Sequence, residues 1–208
     1  MLQRVSLTLR QVIHAFEAEV THIYFPVTAL ASLLTIMEED EPVEAGTVGR
    51  EGFVGLSACL GVELSPHRVI CQMAGESLRV PTRNFLEAMD RGPELARLVR
   101  RYIAYTLRDA SQTIACNVSH TVESRASRWM LLIHDQAGRD EFPLTQEFLA
   151  YMLGVRRQTV TVVAGALHAA GLIDYRRGVV IVRDRAGLEE TACECYASTR
   201  GYYKRIVI

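Results

Sequence analysis

The stretch Leu144–Leu167, LTQEFLAYMLGVRRQTVTVVAGAL, constrains this chain more than any other. Phe148, Leu149, Met152 and Leu153 recur at helical spacing, and Thr145 stands where an N-cap belongs. Gly154 suits a left-handed helix end, which lets the chain turn sharply. Counted at about 100° per residue from Arg157, the residues Val160, Val163, Ala164 and Leu167 share one arc and suit packing on the first helix. Arg157, Gln158, Thr161, Gly165 and His168 share the opposite arc. The next segment, GLIDYRRGVVIV, predicts a hairpin of Leu172–Tyr175 and Val179–Val182 around Arg176, Arg177 and Gly178. Two helices about a glycine turn, then a hairpin with a basic tip, is the layout of a winged helix-turn-helix.

A face carrying a guanidinium, an amide, a hydroxyl and a glycine suits a groove of double-stranded DNA. Arginine pairs bidentately with guanine and glutamine with adenine, so Arg157, Gln158 and Thr161 are the candidate base-reading residues. Thr145, Arg156, Arg176 and Arg177 are candidate phosphate contacts, which position a protein without reading sequence. An ordinary amphipathic helix pair with a solvated polar face has the same periodicity, and arginines are common in exposed turns. The two features together favour DNA.

The rest of the composition fits a soluble protein of the cytoplasm. The chain of 208 residues has room for one large or two small domains. The sequence offers no apolar run of membrane-spanning length and no leader-like N-terminus, so no membrane partner is expected. Five cysteines at irregular spacing argue against a disulfide framework and for a reducing compartment. The net charge of −1 is unusual for a DNA binder, but it is unevenly spread. Residues 1–92 hold 7 basic and 12 acidic side chains, while 93–138 hold 6 and 4, and 139–208 hold 10 and 8. The acidic excess therefore lies away from the proposed DNA-binding end. Lys204 is the sole lysine, so almost all positive charge is arginine, the better residue for planar bidentate contacts.

The N-terminal part reads as β. Short apolar runs at Ile23–Phe25, Ala31–Met37, Val43–Val48, Val69–Met73 and Ser77–Val80 are separated by glycines, prolines and the acidic turn Glu38–Glu41. A long helix follows, from Pro93 to Val118, with Pro93 at its start. Val99, Ile103, Leu107, Ala110, Ile114 and Val118 form a stripe at steps of three or four, widened by Leu98, Tyr102 and Tyr105. A helix of about 25 residues spans about 37 Å, more than a small β-barrel covers, so the stripe is expected to pack partly against a second copy. A further helix is expected over Val122–Ala137.

This order of parts, with the motif Gly154-Val155-Arg156-Arg157-Gln158-Thr159-Val160, resembles the Crp/Fnr family of bacterial transcription regulators over essentially the whole chain. The resemblance implies an α+β fold in three parts. These are a cyclic-nucleotide-binding-like β-roll (1–92), a dimerisation helix (93–120) and a winged helix-turn-helix DNA-binding domain (121–208). It implies a homodimer on a pseudo-palindromic site, with RNA polymerase as a further candidate partner. It also implies that Arg157 reads guanine. Gln158 replaces the family's usual glutamate, which moves the expected preference from cytosine towards adenine. Val162 stands where some members carry a second base-reading arginine, and Arg156 replaces a small capping residue.

The sensor side departs from the pattern. In VGREGFVGLSACLGVELSPHRVICQM, Gly55 matches the cassette glycine that precedes the ribose-binding glutamate, but Leu56 occupies the glutamate's place. Pro66 and His67 stand where the phosphate-binding arginine and its hydroxyl partner belong, with Arg68 out of register. Cyclic AMP is therefore not expected, and the chain reads as one with no cofactor and an unknown effector. The N-terminal segment is also short by comparison with the family. None of the first 58 residues is cysteine, against an iron–sulfur cluster, and His14, His22 and His67 are haem-ligand candidates by type alone. Cys193 and Cys195 offer two ligands, fewer than a zinc site needs, so no metal is expected. Two other classes remain: a non-specific architectural DNA-binding protein, and a cupin-like β-barrel enzyme. The second lacks the H-x-H pair of its metal site, and no nucleophile motif points to any other enzyme.

Overall fold

A computed structural model describes residues 1–37 and 42–207. The expected acidic turn at Glu38–Glu41 lies outside the described residues. In chain order the elements are β1 (Gln3–Leu7), β2 (Val12–His14), β3 (His22–Pro26), β4 (Leu30–Thr35), β5 (Val43–Val48), a 3-10 turn (Leu56–Leu60), β6 (Arg68–Met73) and β7 (Gly75–Pro81). Then come α1 (Thr82–Arg91), α2 (Pro93–Ser119), α3 (Val122–Ala137), β8 (Glu141–Pro143), α4 (Gln146–Leu153) and α5 (Arg157–Ala169). The chain closes with β9 (Ile173–Arg176), β10 (Val179–Val182), α6 (Arg185–Thr191) and α7 (Cys195–Ile206). It divides into two compact units, Met1–Leu107 and Arg108–Arg205, so the division falls inside α2.

The first unit holds two antiparallel sheets, in the orders β1-β7-β3 and β2-β6-β4-β5. The middle strands β4 and β6 are buried almost throughout, as their continuous apolar runs require. Ile23, Phe53, Phe85, Val99 and Tyr102 join in one core. Its rings are in mutual contact, with Phe53 centred 5.7 Å from Phe25 and from Phe85 and 5.0 Å from Tyr102. The helix α1 packs through Phe85, which is buried, with Leu86 and Met89 partly buried on the same side, and these few apolar residues do not stand out in the sequence.

The stripe on α2 divides between an inward-packed start and an exposed remainder. Val99 is 2 % exposed and packs inward on Phe53 and Tyr102, and Ile103 lies half-buried against the same cluster. From Leu107 onward the stripe is uncovered, with Leu107, Ile114 and Val118 at 67 %, 68 % and 84 % exposure and Ala110 exposed beside them. One side of the first half of α2 thus completes the β-roll core, whereas among the described residues the apolar face of its second half has no cover.

In the second unit, α3 begins at a Thr121 cap, whose hydroxyl accepts from the Ser124 N–H at 3.3 Å, and ends at left-handed Gly138. Almost every residue from Arg125 to Ile133 is buried. Arg125 reaches the carbonyl of Leu153 and so anchors the end of α4. Arg128, 1 % exposed, donates to Asp109 and Thr113 on α2. Among the described residues no helix is long and apolar enough to cross a membrane.

Candidate nucleic-acid interface

The helix pair forms as its periodicity dictates. Thr145 caps α4 by accepting the Phe148 N–H at 3.2 Å. Gly154 ends the helix at φ +61, a left-handed conformation that glycine adopts without a Cβ clash. Val160, Val163, Ala164 and Leu167 are buried, while Arg157, Gln158, Thr161, Gly165 and His168 are exposed on the other side of α5. Among the described residues a Cβ on Gly165 would meet nothing within 4 Å, so none of them demands glycine there.

Gln146 is a further candidate site residue that sequence reasoning missed. Its side-chain oxygen accepts from Arg157 Nε at 3.1 Å and from the Thr161 hydroxyl at 3.4 Å. Thr161 also lies 3.2 Å from the Arg157 carbonyl oxygen. One amide therefore holds two of the three candidate base-reading side chains together. It engages Arg157 through Nε and leaves the terminal nitrogens, the pair that forks onto guanine, for a ligand. Nothing in the periodicity of α4 marks this partnership, because its members lie 11 and 15 residues apart. Gln158 and Arg156 are exposed, and Arg156 sits at the N-cap position of α5 without a side-chain capping bond.

The expected two-stranded wing is a three-stranded sheet, in the order β8-β10-β9. The strand β8 is three residues long, too short for alternation to reveal it. Val179 pairs with Arg176, leaving Arg177 and Gly178 as a two-residue loop at φ +50 and +79. Two left-handed residues in succession match a type I′ turn. The Gly178 carbonyl accepts the Leu144 N–H at 2.8 Å, which ties the wing tip to the start of α4 beside Thr145. The Tyr175 hydroxyl donates to the Leu144 carbonyl at 2.9 Å, and burial pushes its pKa up to about 12. Arg183 pairs with Asp174 at 2.6 Å and, through that hydrogen bond, holds its carboxyl below the usual range. Thr145, Arg176 and Arg177 thus gather near one end of α4, with both arginines exposed.

On the sensor side, Gly55 opens the 3-10 turn at φ +105, and Leu56 packs half-buried against the apolar core containing Phe53. Arg68 is exposed. His67 is half-buried, and desolvation lowers its pKa. Deeper in the roll, Glu44 is fully buried against the Ser32 hydroxyl. Desolvation pushes its pKa up to about 8, and the Ser32 bond offsets part of that rise.

Residues 124–191 match the Crp-like helix-turn-helix domain family. The match ends at the last residue of α6 and includes every candidate DNA contact. FixK2 from Bradyrhizobium japonicum superimposes with a TM-score of 0.80 at 15 % identity, covering 93 % of this chain and 98 % of that one. The Crp/Fnr-family transcriptional regulator TTHA1359 from Thermus thermophilus gives 0.72 at 23 % identity, covering 91 % and 98 %. The c-di-GMP-responsive global regulator CLP of Xanthomonas campestris gives 0.68 at 15 % identity, covering 87 % and 93 %. The chain has the Crp/Fnr regulator fold, with a Crp-like helix-turn-helix domain. No curated protein sequence matches it. TTHA1359 is described as a transcriptional regulator and CLP as a global regulator.

Proposed function

We propose that this Crp/Fnr-type protein is a cytoplasmic, sequence-specific transcription regulator that binds a pseudo-palindromic DNA site as a homodimer, without cyclic AMP. The observation that carries the reading is the exposed face of α5, where Gln146 couples Arg157 to Thr161 beside Gln158. Arg157 reads guanine, Gln158 favours adenine and Thr161 completes the contact. Thr145, Arg156, Arg176 and Arg177 hold phosphates. The uncovered stripe Leu107, Ala110, Ile114 and Val118 packs on its copy, which sets the spacing of the two recognition helices.

Independence from cyclic AMP is supported by the residues at the cassette positions. Leu56 is engaged in apolar packing where a ribose acceptor would stand, and burial favours the neutral form of His67. A signal at the β-roll, if it acts, must bind two arrangements of the dimer with different affinity. RNA polymerase is the partner such a regulator would engage at a promoter.

Selection of duplexes from a random pool by the full chain, at fixed salt and with or without cyclic AMP, tests this reading. The expected result is a two-fold symmetric motif, with half-sites about one helical turn apart, enriched equally in both conditions. Absence of any motif is the result for an architectural protein, and a motif that requires cyclic AMP overturns the proposed independence.

A further inference from the structure

A cluster of soft ligands lies on the second unit, outside the DNA-reading face. Cys116, in the last turn of α2, and His120, just beyond it, are four residues apart on one side of a helical turn. Cys193 and Cys195 flank Glu194, where α6 passes into α7. The three sulfurs and one imidazole nitrogen all lie within 4.8 Å of one another. Cys116 Sγ is 3.5 Å from Cys193 Sγ, and Cys195 Sγ is 3.8 Å from His120 Nδ1. A tetrahedral cation with Zn–S bonds of about 2.3 Å needs sulfurs about 3.8 Å apart, so the cluster is close to coordination size.

The surroundings also suit a cation. His120 presents Nδ1 to the sulfurs and Nε2 to Glu194, at 3.1 Å. That is the arrangement in which a carboxylate orients a metal-bound histidine. Gln112 donates to the Cys195 sulfur at 2.9 Å, as amides do to coordinated thiolates. All three cysteines are buried and His120 is partly exposed, which leaves a way in. Three thiolates and a dication sum to one negative charge. The buried guanidiniums of Arg125 and Arg128 act electrostatically on Cys116, and the Nε of each lacks a hydrogen-bond partner.

We propose that Cys116, His120, Cys193 and Cys195 bind one zinc-class divalent cation through three thiolates and the Nδ1 of the imidazole. The cation displaces the thiol protons and changes no oxidation state. It joins the end of α2 to the α6–α7 junction across more than 70 residues of sequence, a long loop for one cross-link to close. This site is independent of the DNA-reading assignment. In the sequence the Cys193–Cys195 pair is the first candidate. The Cys116-x3-His120 spacing is a second signal, but only folding shows that the two pairs meet.

Anaerobic titration of the reduced full chain with cobalt(II), followed by displacement with zinc, tests the proposal. The expected result is saturation at one equivalent per chain, with thiolate-to-cobalt charge transfer and tetrahedral ligand-field bands. Cys195→Ser should lose about a third of the charge-transfer intensity, one thiolate of three. Glu194→Gln changes an exposed side chain that poses no folding problem. It should keep the bands but weaken binding by roughly 10-fold to 100-fold. Cys59→Ser should titrate as wild type. The proposal is overturned if no band saturates at one equivalent, or if Cys195→Ser and Glu194→Gln both bind as wild type. A Cys116–Cys193 disulfide that survives reductant, seen as a mass lower by two hydrogens, overturns it equally.

Discussion

Arg177 sits in the tip of the wing at φ +50, next to Gly178 at φ +79. Left-handed backbone costs a residue with a side chain about 1–2 kcal/mol, and asparagine tolerates it best, which is why Asn-Gly is the preferred type I′ loop. Arg177→Asn should therefore stabilise the fold by about 0.5–1 kcal/mol, since asparagine keeps part of the cost. In a chain of this length that raises Tm by about 1–4 °C. The same change removes one phosphate contact per protomer, each worth about 0.9 in the slope of log K against log salt. A homodimer should lose about 1.8 from the slope and, at about 0.1 M salt, on the order of 60-fold in affinity. Thermal unfolding and anisotropy of a labelled duplex across a salt series measure the two effects on one sample. A variant that is more stable but binds with an unchanged slope would show that Arg177 touches no phosphate. One that is less stable would show that the loop is not strained as its backbone implies.

Glu44 gives a pH dependence of unusual sign. Its pKa rises from the ordinary 4.5 to about 8 in the fold, so the folded chain holds a proton that the unfolded chain releases. Its contribution is fully present below pH 4.5 and is lost as pH rises to about 8, by roughly 5 kcal/mol at most. Glu44→Gln should flatten urea-unfolding stability across that window, and an unchanged slope would assign the effect to another group. Ile114→Glu places charge on the uncovered face of α2, where each buried isoleucine would contribute about 1.5–3 kcal/mol. Sedimentation should then show monomers that no longer bind the selected duplex, and a surviving dimer would move the interface elsewhere.

The DNA-binding half was legible because its signals are local. The Thr145 cap, Gly154 terminator and the buried arc of α5 all lie within one helix pair, and each stands where periodicity put it. The strands β3 to β7 were equally visible as apolar runs between turn residues, whereas the five-residue β1 was not. The short strands β2 and β8, of three residues each, were not, nor was α1, where Phe85 is the one fully buried residue. The stripe on α2 shows a different limit. Periodicity reports that a face is apolar but not what covers it, so Val99, sealed in the β-roll, and Val118, left open, looked alike. Relations across the chain were least accessible. Gln146 gains its role by meeting Arg157 from another helix, and Cys116 and His120 gain theirs beside cysteines more than 70 residues away.

The claim that α5 reads bases through Arg157 is tested most directly by binding free energies for the wild type and Arg157→Ala on the selected duplex and all its single-base-pair variants, at one salt concentration. If Arg157 forks onto guanine, the substitution costs about 1–3 kcal/mol at each half-site and abolishes discrimination at one symmetry-related base pair alone. A loss spread evenly over every sequence, with the preference at each position intact, would contradict that role and leave Arg157 as one more phosphate contact.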